Sequence, residues 1–192
     1  IASSTRSSNF PEINSNVSTG SGGAQDGIVV RFNPTLSSVV WSAYLGGNSG
    51  DAVFSIDFGP DSSVYVAGGT TSSNFPATNG SFDNTYNLGR SDAFVTRISQ
   101  DGNTLIASTF FGTNTYDQAY FVKVDRAGRP HIFGQTEHPG TQLISNVAYF
   151  DIGGGQFVTR FTEDLSDVDW STQFGSTQGQ PNISPTAFLV DV

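Results

Sequence analysis

The sequence contains no cysteine, so neither a disulfide framework nor a thiolate metal site can form. It contains no methionine and one lysine, Lys123, against seven arginines. Charged residues make up only 13% of the chain, where about 25% is usual in globular proteins. Solubility must therefore rest on Ser, Thr, Asn, Gln and Gly. The net charge is −9 and the isoelectric point is near 4.3. That balance argues against nucleic acid or an anionic membrane as partner, because both need a cationic face. No apolar run approaches the roughly 18 residues of a membrane span. The opening residues IASSTRSS are not a signal peptide, so the chain is expected to begin after processing or to belong to something longer.

What remains is ample for a core. Over 192 residues, 36% are hydrophobic and 12% aromatic, with 16 phenylalanines, enough to bury a domain and to argue against disorder.

The pentapeptide SSNFP occurs at Ser7–Pro11 and again at Ser72–Pro76, and it is one landmark of a longer repeat. DGIVVRF (Asp26–Phe32) returns as DAFVTRI (Asp92–Ile98) and GQFVTRF (Gly155–Phe161). WSAYLGG (Trp41–Gly47) returns as ASTFFGT (Ala107–Thr113) and WSTQFGS (Trp170–Ser176). DAVFSIDF (Asp51–Phe58) matches DQAYFVKV (Asp117–Val124), and SVYVAGGT (Ser63–Thr70) matches RPHIFGQT (Arg129–Thr136). Several segments that hold one register of about 65 residues identify a repeating unit.

Each unit reads as four strands, in the fullest copy Asp51–Phe58, Ser63–Thr71, Asp92–Ser99 and Thr104–Gly112. They are short, rich in Val, Ile, Phe, Tyr and Thr, and bounded by Gly, Pro, Asp and Asn turns. No segment has a sustained helical period with caps. The fourth strands are reliably apolar on one face (Trp41, Ala43, Leu45; Ala107, Thr109, Phe111), as in an outer strand. The first strands are apolar on both faces and are expected to lie between sheets. Units of this kind covering one another radially are β-propeller blades. The expected fold is an all-β propeller of four-stranded antiparallel blades, about three repeats that form part of a larger or oligomeric propeller. The blades are a partial one at 1–46, then 51–112 and 117–175. A lone first strand follows at 186–192.

The motifs GGTTSSNFP (Gly68–Pro76), SDAFVTRIS (Ser91–Ser99) and GNTLIASTFFG (Gly102–Gly112) resemble the bacterial β-propeller repeat family often called SBBP. The likeness spans the chain and is weakest in the third copy. It implies a propeller fold and a secreted or cell-surface bacterial protein, with no general activity attached.

The chemistry on offer is thin. His131 aligns with Tyr65 and reads as a packed strand residue; His138 sits in a loop before Pro139, and the two make no metal-ligand spacing. Asp26 and Asp92 share one repeat position and Asp51 and Asp117 another, each at a strand entrance, where a short carboxylate accepts from nearby backbone N–H groups. EDLSDVDW (Glu163–Trp170) reads as an exposed acidic hairpin, and Gly153–Gly155 as a turn. Trp41 and Trp170 are expected in the core or between blades, while Phe10 and Phe75 plug the bases of long loops. The loops Asn9–Gln25, Asn74–Ser91 and Glu137–Gly154 are expected to project and carry recognition. Within FDNTYNLGRSD (Phe82–Asp92), Phe82, Asn84, Tyr86 and Arg90 are the candidate ligand-binding residues, suited to stacking a sugar.

The leading expectation is a non-enzymatic scaffold or interaction module of a surface or secreted protein, in an adhesive setting, with neither cofactor nor metal. Its expected partners are further copies of itself or further repeats of a longer parent. The alternatives are a glycan-binding propeller using the long loops and a propeller enzyme acting on carbohydrate. The segment Thr186–Val192 is expected to pair with the N-terminal strands of another copy or of further repeats.

Overall fold

A computed structural model describes residues 1–19, 22–176, 181 and 183–190. All eleven of its regular elements are strands, arranged in three antiparallel sheets. The first sheet contains β1 (Ala2–Thr5), β2 (Asp26–Phe32) and β3 (Val39–Leu45). The central sheet contains β4 (Asp51–Phe58), β5 (Val64–Thr70), β6 (Asp92–Ile98) and β7 (Leu105–Phe111). The third contains β8 (Asp117–Val124), β9 (Pro130–Thr136), β10 (Gln156–Phe161) and β11 (Val168–Phe174). Every strand pairs with its sequence neighbour, and the repeat register carries over intact: β1 pairs β2 as β5 pairs β6 and β9 pairs β10.

The repeat also fixes where the sheets bend. Between third and fourth strands the register slips at Arg31/Phe32, Arg97/Ile98 and Arg160/Phe161. One residue of the fourth strand is left unpaired each time: Val40, Ile106 and Asp169. The first two are consequently exposed although apolar. Between first and second strands the ladder skips Phe54 and Tyr120, and these two rings stack on each other at 5.2 Å. In the central and third sheets a glycine lies beneath one bulky third-strand ring. Gly68 pairs with Phe94 and Gly134 with Phe157. A β-carbon on either glycine would come within 3 Å of the facing ring. In the first sheet Ser3 pairs with the smaller Ile28 instead.

The core lies where one sheet faces the next. Phe94, Ile98, Phe157, Phe161 and Val29 are buried, as is Trp41, which was expected in the core, whereas Phe32 is half-buried. Trp170 is also half-buried, wedged between His131 and Arg160. The first strands do not lie between covering sheets throughout: β4 forms a sheet edge, and Phe54 (44% exposed) and Phe58 (64%) reach solvent.

The long loops do not project. Each doubles back along the fourth strand of its own sheet, and the first two then cross to the next sheet. Ile13 exchanges two backbone hydrogen bonds with Ser42, and Ser145 two with Ser171. Thr78 donates to the Ser108 carbonyl at 2.9 Å. This strap covers the partly polar face of the fourth strand, so Ser42, Tyr44 and Phe110 are buried as well. Phe75 fastens it, centred 4.3 Å from the Phe94 ring and 5.9 Å from Phe110. Phe10 does the same less deeply against Tyr44, whose hydroxyl accepts from the Phe10 N–H. The plugging role expected of the SSNFP phenylalanines is therefore present.

Of the expected strand Thr186–Val192, residues 186–190 are without regular secondary structure; Asp191 and Val192 lie outside the described residues. Just before it the Ile183 carbonyl accepts from Gln135 and Gln156, and within it the Phe188 ring lies 5.7 Å from Phe133 of the third sheet.

Candidate functional site

The central strap brings only part of the expected ligand set together. Phe82 is held by its own N–H, which donates to the Leu165 carbonyl at 2.7 Å. Its ring leans on Phe111 and Phe161 at 6.2 and 6.1 Å and remains 45% exposed. Beside it is a hollow of about 160 Å³ lined also by Asp83, Asn87, Gln142 and Leu143. Tyr86 packs half-buried against Phe110, and its hydroxyl donates to the Gly89 carbonyl. Asn84 is exposed, outside the residues lining the hollow. Arg90 lies across the Tyr116 ring and pairs with Glu137. Phe82 thus borders a hollow, while Tyr86 and Arg90 are engaged in packing and ion pairing. Asp83 and Asn87 complete the hollow and were missed by sequence reasoning. Their signal is a four-residue spacing across a tight turn, in which the Asn87 amide donates to the Asp83 carboxylate at 2.6 Å and Asp83 also accepts from the Thr85 N–H.

Two pairs of buried aspartates recur where one sheet passes to the next. Asp26 and Asp51 converge over Gly46, and Asp92 and Asp117 over Gly112. Asp51 accepts from the Gly47 N–H at 2.7 Å and from the Ser72 and Thr70 hydroxyls. Asp117 accepts from both the N–H and the hydroxyl of Thr113. The strand-entrance role expected of these carboxylates is the one they perform. Burial pushes Asp51 and Asp117 above the usual carboxylate range. Asp92 goes further, to about 7, mainly through burial and secondarily through the neighbouring Asp117; the Asn87 N–H only partly offsets this. Its second oxygen, Oδ1, has no donor among the described residues.

The third polar group is Arg97, buried between the central and third sheets. It donates to Asp61 and Glu163 at 2.9 Å each and to Ser63 at 3.0 Å. It also lies 5.3 Å from the centre of the Tyr65 ring. Two bonds from the Ser63 hydroxyl and N–H, joined by Arg97, hold Asp61 down at about 2. Glu163 lies in the exposed acidic hairpin, as expected, and from there also ties the third sheet to the central one through Arg97; within the third sheet Asp169 pairs with Arg160 at 2.9 Å. His131 is buried against Trp170 with Nδ1 3.2 Å from the Arg129 carbonyl, and burial lowers its pKa, as suits a packed strand residue.

The chain matches no protein-family model and no curated protein. Its likeness to the propeller repeat family therefore rests on the motifs quoted above.

Proposed function

We propose that this chain is a non-enzymatic β-propeller scaffold, a run of blades that serves as an interaction module in a bacterial surface or secreted protein. The observation that carries this reading is the way each repeat is built to hold another. The strap of the first sheet reaches the turn of the central one, where Asn16 N–H and Ser15 Oγ donate to the Gly102 carbonyl. The strap of the central sheet reaches the turn of the third, where Phe82 N–H donates to Leu165. The buried polar groups serve the same purpose: Arg97 ties two sheets together, and the aspartates fasten strand entrances. A protein so constructed spends its polar chemistry on joining units. The scarcity of lysine and the richness in Ser, Thr and Asn suit an extracellular setting. Size-exclusion chromatography with light scattering over a range of concentrations tests the reading. A defined complex of more than one chain is expected, and a strict monomer at every concentration would count against it.

One observation favours glycan binding as a second reading. The half-exposed Phe82 ring borders a hollow with an acid and amides, Asp83, Asn87 and Gln142, on its other sides. An aromatic face beside such acceptors and donors suits a sugar ring. On a glycan array, binding that Phe82→Ala abolishes while folding is kept would support it. Binding unaffected by that change would remove the hollow from consideration.

A further inference from the structure

All three straps meet their fourth strand in the same way. Ile13, Thr78 and Ser145 donate their N–H groups to the Ser42, Ser108 and Ser171 carbonyls. The next residue is an asparagine each time, Asn14, Asn79 and Asn146, and all three are exposed. Asn14 and Asn146 take a left-handed backbone, with φ of 46° and 53°, and turn their side chains back onto the fourth strand. The Asn14 amide donates to the Val40 carbonyl at 3.2 Å, and the Asn146 amide to the Asp169 carbonyl at 3.1 Å. Both amides are tied down.

Asn79 is not. The residue after it is Gly80, which takes the positive φ itself, at 83°. Among the described residues neither the Asn79 amide nor the Gly80 N–H donates to an acceptor. A β-carbon on Gly80 would meet nothing within 4 Å, so the turn stands open to water. The residues that follow the other two asparagines, Ser15 and Val147, carry side chains, and Ser15 is itself bonded to Gly102. Asn79–Gly80 is also the only Asn-Gly pair in the sequence.

A free amide before an unhindered glycine nitrogen is the arrangement in which asparagine breaks down without an enzyme. Glycine has no β-carbon to obstruct the approach, and its backbone freedom lets the nitrogen reach the preceding side chain. The Gly80 nitrogen gives up its proton to base and attacks the Asn79 side-chain carbonyl carbon. A new N–C bond closes a succinimide ring, the bond to the amide nitrogen breaks, and ammonia leaves. Water then opens the ring. Attack at the side-chain carbonyl leaves aspartate; attack at the main-chain carbonyl leaves isoaspartate, whose backbone runs through the side-chain methylene. We propose that Asn79 is the site at which this chain deamidates, and that its conversion slackens the latch between the central and third sheets. Thr78 and Asp83 anchor the turn to β7, through the Ser108 carbonyl and the Phe110 N–H. Between those anchors Phe82 reaches across to Leu165. Isoaspartate lengthens the main chain by one atom inside this closed span and so displaces Phe82. Either product adds a negative charge to a chain already at −9. The change runs one way and accumulates with the age of the molecule.

Asn14 and Asn146 are internal controls, because they share the repeat position and the exposure. The full chain is held in mildly alkaline buffer and digested at intervals, and tandem mass spectrometry follows each asparagine. The Asn79 amide should be lost at least about tenfold faster than either control, since it alone precedes a glycine. Hydrogen exchange then reads the latch. The Phe82 amide should exchange faster in the aged chain than in a fresh one. Aged Asn79→Gln, which keeps Gly80 and closes the larger ring slowly, should stay as protected as fresh protein. An Asn79 amide as durable as those of Asn14 and Asn146 overturns the proposal. So does a converted chain whose Phe82 amide is as protected as that of the aged variant.

Discussion

At the scale of single residues, the least readable feature was backbone conformation. Leu36, Gly102 and Leu165 share one turn position with positive φ, yet only the glycine advertises it. Replacing the exposed Leu36 by glycine should stabilise the isolated chain by about 1 kcal/mol, since the left-handed penalty disappears and little packing is lost. Thermal denaturation in dilute solution measures it. Core positions were far more legible. Phe94 was marked by its recurrence and is fully buried over Gly68. Phe94→Ala should cost about 3–5 kcal/mol in chemical denaturation. Asp92 gives a pH signature. Its folded value of about 7 exceeds the ordinary 3.8. Between those values the folded chain holds a proton that the unfolded chain has released. Stability should therefore fall as pH rises from about 4 to 7 and level off above. Asp61, held at about 2, acts oppositely and only in acid, losing its contribution as pH falls below 3.8. Asp92→Asn should flatten the first slope, gaining stability at pH 8 and little at pH 4. An unchanged slope in that variant would exclude Asp92 as its source.

At the scale of elements, the strands were legible almost to the residue, because alternation and turn chemistry are local. Asp51–Phe58 is observed as expected, and the remaining three strands of the central repeat differ by no more than one residue at either end. The straps were not legible. Their pairing with Ser42, Ser108 and Ser171 is made by backbone groups, which leave no mark in side-chain periodicity. The fourth strand read as an outer strand for that reason, and its partly polar face is covered by the strap. The expected ligand platform suffered similarly: Tyr86 and Arg90 sit in a polar stretch, but packing partners distant in sequence, Phe110 and Glu137, engage them. Two consequences are measurable. Phe75→Ala should destabilise more than Phe10→Ala, because Phe75 is buried between two rings while Phe10 leans on one. Arg97→Met should cost about 2 kcal/mol, the scale of hydrogen bonds to charged groups. The loss stays moderate because Asp61 and Glu163 are half-exposed and can turn to water. Equal losses from Phe10 and Phe75 would show that the straps are held by their backbone bonds alone.

At the scale of the whole molecule, three sheets joined only through neighbours behave as a short linear array, in which stability sums over units and junctions. The central sheet has two junctions, and β5 and β6 are buried along their whole lengths. Amide exchange should be slowest there and faster in β1 and β11. The strap that runs from each sheet to the following turn also sets a timetable. Ser15 binds Gly102 across 87 positions of chain, and Phe82 reaches Leu165 over a similar span. Such distant contacts fold slowly. On a ribosome, the strap of the first repeat has nothing to grasp until the turn of the second has emerged, so every unit stays unlatched for one repeat's worth of synthesis. The nascent chain is always one unit short of finished, and its newest sheet is the one most open to a wrong neighbour.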